Sequence, residues 1–263
     1  MAKSICLFVV LASMTLYAGD SRAPQQITLK VDGVPNDVWY NVMRPRSETA
    51  GKRYPLLICI PGSHAAEKDT VDDNEGRRRV MFWAYRGTEE FFVISVSYGN
   101  NNDAYPHNEK RNGIRITDAM IRDALERFPI DRNRIFIQSF SRGGVFMKPF
   151  MDEYAKNTPV VFSGMLFTDA NCWGVNANAA CVTENTYIFI ATGSKDCPPW
   201  EPWDCVSEAI KWKSIFTSRC KDVEHHVIEG QGHTIGPEQQ ELIKTWFTRV
   251  LIEIESRWIK AVA

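Results

Sequence analysis

Net charge is what this sequence has least of. Its 31 basic and 32 acidic side chains leave a formal charge of −1 over 263 residues, so no long-range field would gather nucleic acid or anionic lipid. No partner of either kind is expected. The chain also lacks internal repeats and low-complexity stretches. Among its seven cysteines no Cys-x-x-Cys pair occurs, which argues against a zinc site, and neither a metal nor another cofactor is expected. The apolar run Ile5 to Leu16 is about a dozen residues, short of the roughly 20 that cross a bilayer as a helix.

What is present is ordinary globular material, with 44% hydrophobic and 24% charged residues, enough for a packed core. A chain of this length fits one domain of the α/β type, which commonly runs to roughly 250 residues. Lys3, the apolar run and the small residues Ala18 and Gly19 have the order of a signal peptide, with cleavage expected after Ala18. The expected organisation is a signal at 1–18 and one domain at 19–263. The mature protein is then secreted or periplasmic and free of the membrane.

Export changes how cysteine is read, because disulfides persist in oxidising compartments. Cys6 leaves with the signal. Cys59 lies in a strand-like run, Cys220 closes a helix, and Cys172, Cys181, Cys197 and Cys205 fall in connections. Four such cysteines permit three connectivities; Cys172 with Cys181 and Cys197 with Cys205 are the preferred pairs.

Alternation of apolar and polar residues over Ile27 to Val31 and Val38 to Val42, around Asp32, Gly33 and Pro35, predicts a hairpin of edge strands. From Tyr54 onward the pattern changes to continuous apolar runs, at Leu56 to Ile60, Phe91 to Val96, Ile135 to Ile137, Val161 to Phe167, Tyr187 to Ala191 and Val223 to Ile228. Such runs suit parallel strands buried on both faces. Helical spacing separates them, over Arg77 to Tyr85, Ile116 to Phe128, Gly144 to Tyr154, Val206 to Phe216 and Pro237 to Trp258. Alternating strands and helices imply right-handed crossovers and a mostly parallel sheet with helices on both faces, a three-layer α/β fold. Two long irregular segments, Ser97 to Asn112 and Asp169 to Asn185, have lengths typical of loops that are functional or disordered.

The chemistry concentrates after the short strand Ile135 to Ile137. There Ser139-Phe140-Ser141-Arg142-Gly143 leads straight into a helical segment, the context of a nucleophile elbow with Ser141 at its apex. A serine hydroxyl is a weak nucleophile and needs a base, itself oriented by a carboxylate. Asp196 follows the strand Tyr187 to Ala191, and His233 follows Val223 to Ile228 through Gly230-Gln231-Gly232. Both stand past the C-terminal ends of their strands, where open parallel sheets collect functional groups. Asp169, after the preceding strand, is the alternative acid. The expected oxyanion donors are the backbone N–H groups of Arg142, at a helix start, and of Ser63, in Pro61-Gly62-Ser63-His64. His64 is a candidate for orienting substrate, and Trp173, Trp200 and Trp203 for lining its wall, by stacking on sugars or aromatic acyl groups.

At these residues the chain resembles the secreted feruloyl esterase and polyhydroxybutyrate depolymerase group of α/β-hydrolases, whose triads run serine, acid, histidine along the chain. The resemblance rests on Asp131-x-x-Arg134 and a strand before the elbow, on Gly193-Ser194-Lys195-Asp196, and on Gly230-Gln231-Gly232-His233-Thr234. It extends from about Tyr54 to the C-terminus. It implies the α/β-hydrolase fold and a carboxylic ester hydrolase acting on polysaccharide-linked or polyester-type esters, without a cofactor. The chain departs from the group in three places: Ser139 stands for the first elbow glycine, Arg142 follows the nucleophile, and Pro61-Gly62 replaces a His-Gly pair. A serine peptidase and a catalytically silent binding protein are the rival readings of the same fold.

Overall fold

The computed structural model describes residues 25–60, 90–97, 111–141, 143–157, 160–170, 174–196 and 204–262. Eight strands form one sheet: β1 (Gln25–Leu29), β2 (Val38–Met43), β3 (Tyr54–Ile60), β4 (Phe92–Ser97), β5 (Ile130–Ser141), β6 (Gly164–Ala170), β7 (Tyr187–Gly193) and β8 (Asp222–Ile228). Their spatial order is β1-β2-β4-β3-β5-β6-β7-β8. β1 and β2 form the expected hairpin, Ile27 facing Tyr40, but only β1 is an edge. β2 pairs antiparallel with β4 on its other side, and its fully buried Val38, Tyr40 and Val42 match that inner position. From β4 through β8 all pairings are parallel.

Continuous apolar runs form these strands because each face of the sheet is covered. Leu56, Ile58 and Ile60 point into one core and Leu57 and Cys59 into another; Ile135 and Ile137 are likewise opposed to Phe136, and Ile188 and Ile190 to Phe189 and Ala191. The period of two thus divides each strand between two layers of helices. On one face lie α1 (Arg111–Arg127), α2 (Gly143–Asn157) and α3 (Cys205–Thr217), which contribute Ile116, Met120, Phe146, Phe150, Trp212 and Phe216 among others. α4 (Pro237–Val262) covers the other face among the described residues, through Ile243, Trp246, Phe247, Val250 and Ile254. Their three- and four-residue spacing makes a single helical stripe. Pro237 opens α4 at the first helical position, where its missing N–H costs nothing.

One strand is displaced from its expected place. The apolar run beginning at Val161 predicts a strand three residues too early; Val161 is 42% exposed and β6 starts at Gly164. Close packing explains the glycine, since a Cβ there would lie 2.7 Å from the rings of both Phe136 and Trp246. The Asp131-x-x-Arg134 element is a clamp at the sheet end remote from Ser141. Arg134 Nε donates to Asp131 Oδ2 at 2.7 Å and its Nη2 to Arg53 O at 3.0 Å, tying β5 to the chain entering β3.

The cysteine expectation is corrected. Cys181 is buried with a free thiol, so its pairing with Cys172 does not form. Cys181 packs in the apolar core with Ala179 and Val182, where a free thiol behaves as a small hydrophobe. Cys172 and Cys197 lie outside the described residues, as do the signal segment and the expected helix Arg77 to Tyr85.

Candidate active site

Ser141 is the last residue of β5, and α2 starts at Gly143. Its φ is 53°, in the left-handed region that costs a non-glycine residue about 1–2 kcal/mol. The surroundings hold it there. Gln138 Nε2 donates to Thr168 Oγ1 at 3.2 Å, and Thr168 Oγ1 donates to Ser139 O at 3.0 Å, which fastens the strand end to β6. Ser139 is fully buried, so a small side chain fits where the turn leaves little room. The β5–β6 register shifts at this point: Phe140 faces Thr168, whereas Ser141 faces Ala170. Asp169 is the residue left over, and it too has a positive φ, of 43°. A bulge of this kind re-aims a side chain at a strand end.

Because β5 to β8 are parallel, the residues leaving their C-terminal ends share one edge of the sheet. His233 Nε2 lies 2.6 Å from Ser141 Oγ, and His233 Nδ1 lies 2.5 Å from Asp196 Oδ1. The three residues span 92 positions of sequence and meet in one line of hydrogen bonds. Asp196 has no exposed side-chain surface, while the His233 side chain is 36% exposed. The imidazole therefore stands between a dry carboxylate and an accessible rim. Asp196, and not the alternative Asp169, is the carboxylate on the imidazole.

The loops that carry Asp196 and His233 are stitched to each other. Ser194 N–H donates to Ile228 O at 2.8 Å, Lys195 N–H to Gln231 O at 2.8 Å, and Gly230 N–H to Ser194 Oγ at 2.8 Å. Gly230 adopts a φ of 74°, which turns the chain back over β7. Gly193 lies directly beneath: a Cβ there would sit 2.3 Å from Gln231 O. Gln231 is braced in turn by Gln239 of α4, 2.5 Å from its Nε2, and its Oε1 accepts from Gly236 N–H at 3.2 Å.

Asp169 lies behind this arrangement, fully buried. Its Oδ1 accepts from Gly193 N–H at 2.8 Å. Burial pushes its carboxyl up to about 8, and the neighbouring Asp196 pushes it the same way.

Ser63, His64, Arg142, Trp173, Trp200 and Trp203, the expected oxyanion and substrate-wall residues, lie outside the described residues. One neighbour of the site went unpredicted. The ring of Phe140 stacks on that of His233, with centroids 5.2 Å apart and planes 27° from parallel. Strand alternation carries the signal: Phe140 shares a face with Phe136, on the α4 side, from which the His233 loop returns.

No protein-family model matches this sequence, and no curated protein matches it. Solved structures do resemble the fold. A bacterial heroin esterase superposes with a TM-score of 0.62 at 15% identity, over 92% of this chain and 88% of that one. A ferulic acid esterase gives 0.57 at 15% identity, over 87% and 98%. A chain from Bacteroides ovatus assigned as a dipeptidyl aminopeptidase IV gives 0.59 at 15% identity, and there the 88% of this chain that aligns spans only 36% of the other. At such identities the likeness concerns architecture: the chain has the α/β-hydrolase fold.

Proposed function

We propose that this α/β-hydrolase-fold protein is an exported serine hydrolase of carboxylic esters, working through an acyl-enzyme on Ser141. The observation that carries the reading is the unbroken run of hydrogen bonds from Ser141 Oγ through the His233 ring to Asp196. Ser141 Oγ attacks the ester carbonyl while His233 Nε2 takes its proton, and Asp196 balances the positive charge that forms on the ring. The tetrahedral oxyanion needs backbone N–H donors, for which Arg142 and Ser63 remain the candidates. His233 then gives its proton to the departing alcohol. Water repeats the sequence on the acyl-enzyme and releases the acid.

The strained φ of Ser141 supports the same reading, since such strain concentrates where a side chain must be presented to a reactant. Ester substrates are taken first because a ferulic acid esterase and a bacterial heroin esterase share the fold over 98% and 88% of their own lengths. Fold relatives share scaffolds more reliably than substrates, so the acyl group is left to experiment. Polysaccharide-linked feruloyl and acetyl esters and hydroxybutyrate polyesters are the first panel.

A fluorophosphonate probe followed by peptide mass spectrometry should capture Ser141. Ser141→Ala should remove capture and lower nitrophenyl-ester turnover by about 10⁴-fold or more. Turnover unchanged in that variant would overturn the proposal. Cleavage of peptides without esters would reassign the substrate, and folded wild-type protein that is never captured would be a binding protein.

A further inference from the structure

Two buried carboxyl groups meet at Gly193, and each has an oxygen without a partner among the described residues. Asp169 and Asp196 share Gly193, whose N–H donates to Asp169 Oδ1 at 2.8 Å and whose carbonyl accepts from Asp196 N–H at 3.0 Å, and Asp196 is among the groups that push the Asp169 carboxyl up. Asp169 Oδ1 is occupied by Gly193 N–H and Asp196 Oδ1 by His233 Nδ1, which leaves Asp169 Oδ2 and Asp196 Oδ2 both buried and, among the described residues, unsatisfied. A buried acceptor without a donor is costly, and two adjacent ones invite a common explanation. Two neighbouring carboxylates in a dry interior repel each other, which disfavours ionisation of both. A single proton between the two Oδ2 atoms satisfies both and removes one charge.

We propose that Asp169 is a positioning residue of the catalytic chain: as a neutral carboxylic acid it donates from Oδ2 to Asp196 Oδ2, and so aims Asp196 Oδ1 at His233. The inference rests on the reading of Ser141, His233 and Asp196 as the reacting chain. The proton belongs on Asp169 because Asp196 faces the imidazole that becomes positive, whereas among the described residues Asp169 faces Gly193 N–H, Asp196 and the uncharged amide of Gln239. That amide already lies 3.5 Å from Ala191 O and brings no charge to offset a second carboxylate. The positive φ of Asp169 and the shift in β5–β6 register that sets it aside from the ladder bring its side chain to this place. Acting through Asp196, it fixes which carboxylate oxygen meets the ring.

A neutral donor can be replaced by another neutral donor. Asp169→Asn keeps an acceptor for Gly193 N–H and offers an N–H to Asp196 Oδ2, so kcat should stay close to that of the wild type. Asp169→Ala removes the donor and should lower kcat by about tenfold, the worth of one hydrogen bond, with KM little changed. A second measurement does not depend on turnover: at pH 7 the infrared C=O stretch of a protonated carboxylic acid should be present in the wild type and absent from Asp169→Asn. Absence of that band from the wild type, or an Asn variant as impaired as the Ala variant, overturns the proposal. The band in a protein whose Ser141 resists the fluorophosphonate probe would leave the carboxyl pair standing and remove the hydrolase reading instead.

Discussion

Replacing Gly193 with alanine tests whether the geometry of the site is set by the contact between its two carrier loops. Gly193 is not among the positive-φ glycines, so alanine is compatible with its backbone and the effect is steric. The new Cβ would lie 2.3 Å from Gln231 O and 2.8 Å from both Gln231 C and Gly232 O. Ordinary contact begins at 3.4 Å, so the loop must retreat by about 1 Å, and backbone atoms cannot swing aside as a flexible side chain would. His233 follows Gly232 immediately, and its 2.6 Å contact to Ser141 would stretch beyond hydrogen-bonding range. Misplacement of about 1 Å in a reacting constellation costs on the order of 10²-fold in rate, and overpacking costs about 1–3 kcal/mol of stability. Turnover of a short nitrophenyl ester, the rate of fluorophosphonate capture and the urea midpoint measure these quantities. Capture and turnover at wild-type rates in a folded Gly193→Ala protein would refute the idea that this contact sets the His233 position.

Phe140→Ala should remove the stacked partner of the imidazole, an aromatic contact worth about 0.5–1.5 kcal/mol, and lower kcat by roughly two- to tenfold. An unchanged kcat would make the stacking incidental. Stability should depend on pH through Asp169, whose carboxyl is raised from its ordinary 3.8 to about 8. A raised carboxyl binds its proton more tightly in the folded state, so its contribution is complete below about pH 4 and is lost progressively as pH rises toward 8. The wild type should therefore lose up to about 1.4 kcal/mol per pH unit relative to Asp169→Asn across that window. Urea midpoints of the two proteins from about pH 5 to 8 would show this, and a constant difference would contradict it.

The fold was legible because both faces of the sheet are covered. Runs such as Leu56 to Ile60 and Tyr187 to Ala191 have no polar side to expose, and that pattern separates buried parallel strands from amphipathic ones. Composition misplaced β6 because Val161 is as apolar as Met165, and only the proximity of Phe136 and Trp246 singles out Gly164 as the start. Within the site, Ser141, Asp196 and His233 could be singled out since each follows a strand and belongs to a residue type with a known chemical task. The sequence already put Asp196 ahead of Asp169, and the distance closes the alternative, since both acids follow neighbouring parallel strands and Asp196 is the one hydrogen-bonded to the ring. The stacking of Phe140 and the clearance above Gly193 are relations between segments about 93 and 38 residues apart, which no local pattern records.

The placement of α4 bears on when the protein becomes active during its synthesis. Ser141 is translated long before His233, and α4, which among the described residues shields the Phe136 and Phe189 face, follows both. A nascent chain that has delivered its first 230 or so residues has Ser141 in place but neither His233 nor the α4 cover over Phe136 and Phe189. On the chemistry proposed above, the serine stays idle until the His233 loop has emerged behind it.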